Sequence, residues 1–240
     1  MRILAIDTAT EACSAALLLG DAVIGRYEES GKSHAQQILG MVNSLLAEGG
    51  VSLSMLDGIA VSIGPGAFTG VRIGVAVAQG LAFGADLRVV PVTTLEALAL
   101  QAAQRGAALI IACLDARMGE VYWGCFAGDA ARGVIARGEP RVGAPELVAP
   151  PLAAARYRGI GRGFAAYPAL AALPGIDLDA ADGLALPNAR EMARLGALRL
   201  AAGEGVAPTG LRPLYLRDKV ALTEVERRQA KGAARVARDN

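Results

Sequence analysis

The chain has 240 residues, enough for one or two domains with substantial cores. It is 53% hydrophobic but only 4% aromatic, so those cores must be built from Ala, Val, Leu and Ile. A net charge of +1 excludes tight, autonomous nucleic-acid binding and leaves RNA contact only as one part of an assembly.

Residues 2–6 read as a strand closed by Asp7-Thr8-Ala9-Thr10, and 14–19 and 22–28 as two more, joined by the turn Gly20-Asp21. Ser33 and Gln36 have capping-box spacing, and Ile38, Met41, Val42, Leu45 and Leu46 continue at helical spacing to Gly49-Gly50. A strand over 58–63 leads into Gly64-Pro65-Gly66-Ala67-Phe68-Thr69-Gly70-Val71-Arg72-Ile73-Gly74 and a helix to about residue 84. A strand over 87–90 follows, then a second capping-box spacing, Thr93 to Glu96, and a helix to about residue 105.

The pattern then restarts. Ile111-Ala112-Cys113-Leu114-Asp115 echoes Ile3-Leu4-Ala5-Ile6-Asp7, and Gly128-Asp129 echoes Gly20-Asp21, at a constant offset of 108 residues. This is an internal duplication, degenerate in its second copy, with 138–155 irregular. The expected fold is α/β, an actin-like ATPase architecture of two related lobes, each opening with a β-β-β-α unit. The expected division is 1–105, 106–216, and a charged, poorly ordered tail over 217–240. Asn188 to Glu191 should cap a helix through about residue 202.

No signal peptide is expected, because the apolar run at Ile3 stops at Asp7, and no membrane span is expected. Cys13, Cys113 and Cys125 form no Cys-x-x-Cys pair, so buried free thiols in a reducing cytoplasm are expected.

His34 is the only histidine, so no paired-His zinc motif exists and a Ser-His-Asp triad could draw its base from one residue alone. No metal site and no catalytic residue is expected. Asp7 and Thr8 end a first strand as a kinase-type phosphate loop would, and Gly161 and Gly163 could supply backbone amides; these four are the candidate nucleotide contacts. Ala9 stands where such a loop usually carries Gly, so no bound cofactor is expected; the competing reading is an actin-like ATPase or kinase using Asp7 and the glycine loops.

Gly66, Gly70, Gly74, Ala78 and Ala82 recur every fourth residue and form a small-residue ridge on the helix that follows the Gly-Pro-Gly loop. Beside it run Ile73, Val77 and Leu81, and only Arg72 and Gln79 are polar between Gly70 and Gly84. A helix apolar on nearly all sides needs cover on more than one. The sheet and the helix at 33–48 provide part, and a partner protein is expected to provide the rest.

Four runs carry a resemblance: residues 1–14, the loop from Gly64 to Gly74, Asp115-Ala116-Arg117-Met118-Gly119-Glu120-Val121-Tyr122, and Tyr215-Leu216-Arg217. Together they resemble the bacterial TsaB (YeaZ) family, in order from Met1 to about Val220. The resemblance implies a non-enzymatic role in making threonylcarbamoyladenosine, the modified base beside the anticodon of tRNAs reading A-starting codons. It implies a heterodimer with the transferase TsaD through the first two helices and work alongside the ATPase TsaE, through which the assembled complex uses ATP. It further implies tRNA contact only within that complex, and a homodimer when TsaD is absent. His34, Ile38, Met41, Phe68, Val71, Arg72, Val75 and Gln79 are the candidate interface residues. TsaD-type proteins carry two metal-binding histidines, i and i+4, after a Pro-Val pair; here those positions are Thr94 and Leu98, which cannot hold a catalytic metal.

Overall fold

The computed structural model describes residues 1–29, 33–129, 131–151 and 156–217; the expected tail over 217–240 lies outside the described residues except for Arg217. The first sheet holds β1 (Arg2–Asp7), β2 (Cys13–Leu19), β3 (Ala22–Glu28), β4 (Gly58–Ser62) and β5 (Arg88–Val92), in the order β3-β2-β1-β4-β5. The second holds β6 (Leu109–Arg117), β7 (Glu120–Asp129), β8 (Gly133–Ala136), β10 (Tyr157–Ile160) and β11 (Ile176–Asp177), in the order β11-β10-β6-β7-β8, with β9 (Arg141–Gly143) on β7. Each sheet is built on three antiparallel strands extended by two parallel ones, and β9 adds a further antiparallel strand to the second. The repeat read in the sequence is therefore a repeat of topology.

The helices are α1 (His34–Glu48), α2 (Phe68–Ala85), α3 (Thr94–Gln104), α4 (Gly163–Ala166), α5 (Ala180–Gly183) and α6 (Ala189–Ala201). The Thr93–Glu96 capping box is fully formed: the Thr93 hydroxyl accepts from Glu96 N–H, and the Glu96 carboxylate accepts from Thr93 N–H. Ser33 caps α1 by position but makes no side-chain cap bond. Asn188 caps α6 by accepting from Arg190 N–H at 2.9 Å, one residue earlier than a capping box would. In the second lobe β8 is followed by β9 and a short 3-10 turn at Pro145–Leu147 where the first lobe has α1. Pro140, Pro145, Pro150 and Pro151 remove backbone donors from that stretch.

Strand alternation sends the two faces of each sheet into different cores. From β1, Ile3 and Ala5 point to a central core, while Leu4 and Ile6 point to α1 and α2. From β6, Ile110 and Ala112 join the same central core, and Ile111 and Cys113 join an outer one with Tyr157 and Phe164. The central core is filled by Leu95 and Leu98 of α3 and by Met192, Ala193 and Leu195 of α6.

This corrects the expected division. The sheets separate between β5 and β6, but α3 packs on the second sheet and α6 returns to the first. Val206 then pairs with Val89, Leu214 N–H donates to Ile63 O at 2.8 Å, and Gln79 holds the carbonyls of Pro208 and Leu211. Residues 189–216 thus serve the first lobe, because β1 and β4 offer an apolar face that no segment before residue 105 covers.

Glycine 196 lets α6 lie against that face: a Cβ there would stand 2.6 Å from the Ala60 Cβ. A Cβ at Gly80, on the outer side of α2, meets nothing within 4 Å. Urea unfolding should give opposite signs. Gly196→Ala should destabilise by about 1–3 kcal/mol through overpacking, whereas Gly80→Ala should stabilise by about 0.5–1 kcal/mol through helix propensity.

Candidate partner interface

The Gly-rich loop is built to pack on another loop. A Cβ at Gly66 would fall on the Ala9 carbonyl oxygen, one at Gly70 on the Thr8 carbonyl oxygen, and one at Gly74 would stand 2.7 Å from Thr8 Oγ1. The contact is also hydrogen-bonded: Ala67 N–H donates to Ala9 O at 2.7 Å, and Thr8 Oγ1 donates to Gly70 O at 2.7 Å. The would-be phosphate loop is therefore covered by the start of α2, and Asp7, Thr8 and Ala9 are buried.

Asp7 sits at the bottom of this contact. Its Oδ1 accepts Ala9 N–H at 3.0 Å. Burial raises its carboxyl to a pKa of about 6 against the pull of that hydrogen bond, the Ser62 hydroxyl and the His34 ring. His34, half-buried at the start of α1, places Nδ1 3.2 Å from Thr8 O; a carbonyl only accepts, so Nδ1 carries the proton. The second glycine loop repeats the device. Cβ atoms at Gly161 and Gly163 would collide with Cys113 in the middle of β6. Burial also pushes the Cys13 and Cys125 thiols up to about 11, and all three cysteines are buried and free.

A cavity of about 210 Å³ does open between the lobes, lined by residues such as Thr10, Glu11, Asp115, Arg117 and Arg162. None of Asp7, Thr8, Gly161 and Gly163 lines it.

The candidate interface residues divide. Ile38, Val71 and Val75 are buried in the core that α1 and α2 form with the first sheet, which corrects their assignment as outward-facing residues. Met41 is half-buried against the same core. Gln79 is turned onto the chain's own 208–211 segment. Phe68 and Arg72 are exposed. At about 100° per residue, the ridge and the two valines occupy one arc of α2. The opposite arc, with Thr69, Arg72, Ala76, Gly80 and Phe83, is left in solvent. Phe83 is 78% exposed and, on α1, Leu39 is 46% exposed. Sequence reasoning missed both. The signal was present: a small-residue ridge marks the side of close approach, so the outer residues lie half a turn away from it. By length and composition α2 could also cross a membrane, but its ridge packs on β1 and β4 as a core helix does.

A family model described as TsaD, tRNA N6-adenosine threonylcarbamoyltransferase, matches residues 27–137. The tRNA threonylcarbamoyladenosine biosynthesis protein TsaB of Escherichia coli is 42% identical over 92% of this chain and 96% of its own. The Haemophilus influenzae protein of the same name is 35% identical over 92% of this chain and 95% of its own. This chain belongs to the TsaB family. A solved structure of YeaZ from Pseudomonas aeruginosa superposes with a TM-score of 0.82 at 43% identity, covering 90% of this chain and 99% of that one. The actin-like α/β fold of the TsaB family is thus the fold of this chain. Thr94 and Leu98, at the positions where the resemblance places the transferase's histidines, are both fully buried, and the Thr94 hydroxyl donates to Pro65 O.

Asp7 makes the fold pH-dependent in a defined direction. Its folded pKa of about 6 lies above the ordinary 3.8, so the native state binds the proton more tightly than the unfolded chain. Its contribution is complete below pH 4 and is lost as pH rises through 6, amounting to about 3 kcal/mol. Asp7→Asn should remove this loss and raise stability at pH 7.5 relative to pH 4, read by urea unfolding at the two pH values.

Proposed function

We propose that this protein is a non-catalytic subunit in the cytoplasmic synthesis of threonylcarbamoyladenosine on tRNA. It binds the transferase TsaD through the outer face of α1 and α2, works with the ATPase TsaE, and meets tRNA only within that assembly. The same face closes a homodimer when the transferase is absent. The chain itself holds no cofactor in this reading, and the complex draws on ATP through TsaE.

One observation carries the reading: α2 is apolar around most of its circumference, yet the arc with Ala76, Gly80 and Phe83 is left exposed among the described residues. An exposed arc of Ala76, Gly80 and Phe83 beside Leu39 and Gly40 is the composition of a close helix–helix contact: small residues let backbones approach and two large ones anchor. Burial of Asp7, Thr8, Thr94 and Leu98 supports a supporting role over chemistry of the chain's own.

Phe83→Arg tests it, because the side chain stands in solvent and its replacement leaves the core intact. Mixing the variant with purified transferase should weaken association by at least about thirtyfold, as loss of an anchor does, and abolish tRNA modification, with thermal melting unchanged. The isolated variant should run as a monomer in size-exclusion chromatography. Undiminished association would overturn the proposal. Val75→Arg would not serve, since it places a charge in the core.

A further inference from the structure

A second surface feature lies just beyond the first turn of α2. A groove of about 270 Å³ runs between that turn, the β6–β7 turn and the segment Leu214 to Arg217. Val71 and Tyr122 line it. Three large apolar side chains also line it with much of their surface in solvent: Phe68 at 39%, Met118 at 66% and Tyr215 at 48%. The β6–β7 turn is fixed, with Arg117 and Met118 at φ 62° and 58°, the left-handed conformation of a tight hairpin.

Arg72 stands at the rim in an unusual state. Its guanidinium lies 3.7 Å from the Phe68 ring centroid, and its Nε–H donates to Tyr215 Oη at 2.8 Å. The terminal nitrogens, Nη1 and Nη2, have no partner among the described residues. The other cations of the groove are neutralised: Arg117 pairs with Glu11 and Asp115, and Arg217 with Glu120. Among the described residues one spare positive charge thus stands on the groove's lining rings, its guanidinium oriented by Phe68 and Tyr215 with the two-pronged end free. That is the geometry for a single bidentate carboxylate. A nucleic-acid strand would need a track of unpaired cations, which this rim lacks.

We propose that the groove receives an extended segment of the protein that covers α1 and α2, in which an Asp or Glu side chain seats on Arg72 and an adjacent bulky apolar residue fills the space beside Met118 and Tyr215. Continuity fixes the occupant: Phe68 and Arg72 belong to α2, so a partner lying on the outer arc of that helix meets the groove at its edge. The inference rests on the interface reading above but fails separately from it.

The first test uses blocked tripeptides, acetyl-Leu-Glu-Leu-amide and acetyl-Leu-Gln-Leu-amide, titrated into the full chain while the Met118 methyl and Tyr215 ring are followed by NMR. The carboxylate peptide should bind about tenfold more tightly, the usual worth of a charged hydrogen-bonded pair. Arg72→Gln, with unchanged melting, should erase the difference. Equal affinities, or shifts confined to other surfaces, overturn the proposal. A rise in peptide affinity when the chain is cut after Arg217 also overturns it, in favour of the chain's own 218–240 stretch as occupant. The second test is calorimetry with the transferase, where Arg72→Gln should weaken binding about tenfold and flatten its salt dependence. Loss at Phe83→Arg without loss at Arg72→Gln overturns the groove and leaves the helical interface standing. Loss at Arg72→Gln without loss at Phe83→Arg supports the groove and overturns the helical face.

Discussion

Backbone meets backbone where the first turns of α2 lie on the loop after β1, and the rest of the first lobe follows from that contact. Gly66 and Gly70 have no room for a Cβ against the carbonyls of Ala9 and Thr8, and two hydrogen bonds fasten the approach. Once α2 is pinned there, its ridge of Gly74, Ala78 and Ala82 must follow the sheet, and the opposite arc must face outward. The same contact seals Asp7 away from water, which is why a carboxylate that could hold a phosphate-bound metal in a nucleotide-binding relative is here a buried group with a raised pKa. One packing decision both buries Asp7 and leaves the outer arc of α2 exposed.

The exchanged helices join the two lobes behind that surface. With α3 on the second sheet and α6 on the first, the two lobes share one central core. The capping box at Thr93 and the Glu96–Arg199 ion pair tie the two helices together at one end. The Ser14 hydroxyl accepts Ala189 N–H at 3.0 Å where α6 begins. In the proposed role, a frame that holds α2 in place would spare the cost of ordering its outer face on binding.

Local chemistry was legible in particular residues. Thr93 and Glu96 announced a capping box that forms in full, the Asp-ended strand and its echo at Asp115 announced two like-ordered sheets, and the four-residue glycine period announced close packing. The errors came from facing. Val71 and Val75 look like a surface stripe on a uniformly apolar helix, and only the direction of the ridge tells that they turn inward. Gln79 looks like a polar interface residue, yet its partners are the carbonyls of Pro208 and Leu211, nearly 130 residues on in the sequence.

The sequence by itself determined the strands and helices of the first lobe, the repeat, the absence of paired histidines and the family, because each rests on neighbours in the chain or on runs of residue identity. Tertiary structure decided which side of α2 is buried, that residues 189–216 return to the first lobe, and that Phe68, Met118 and Tyr215 line one groove with Arg72 stacked on two of them. Those outcomes depend on contacts between segments distant in the chain, 62 residues apart for Thr8 and Gly70 and 143 for Arg72 and Tyr215. Helical periodicity records that a face is apolar and says nothing of what will cover it.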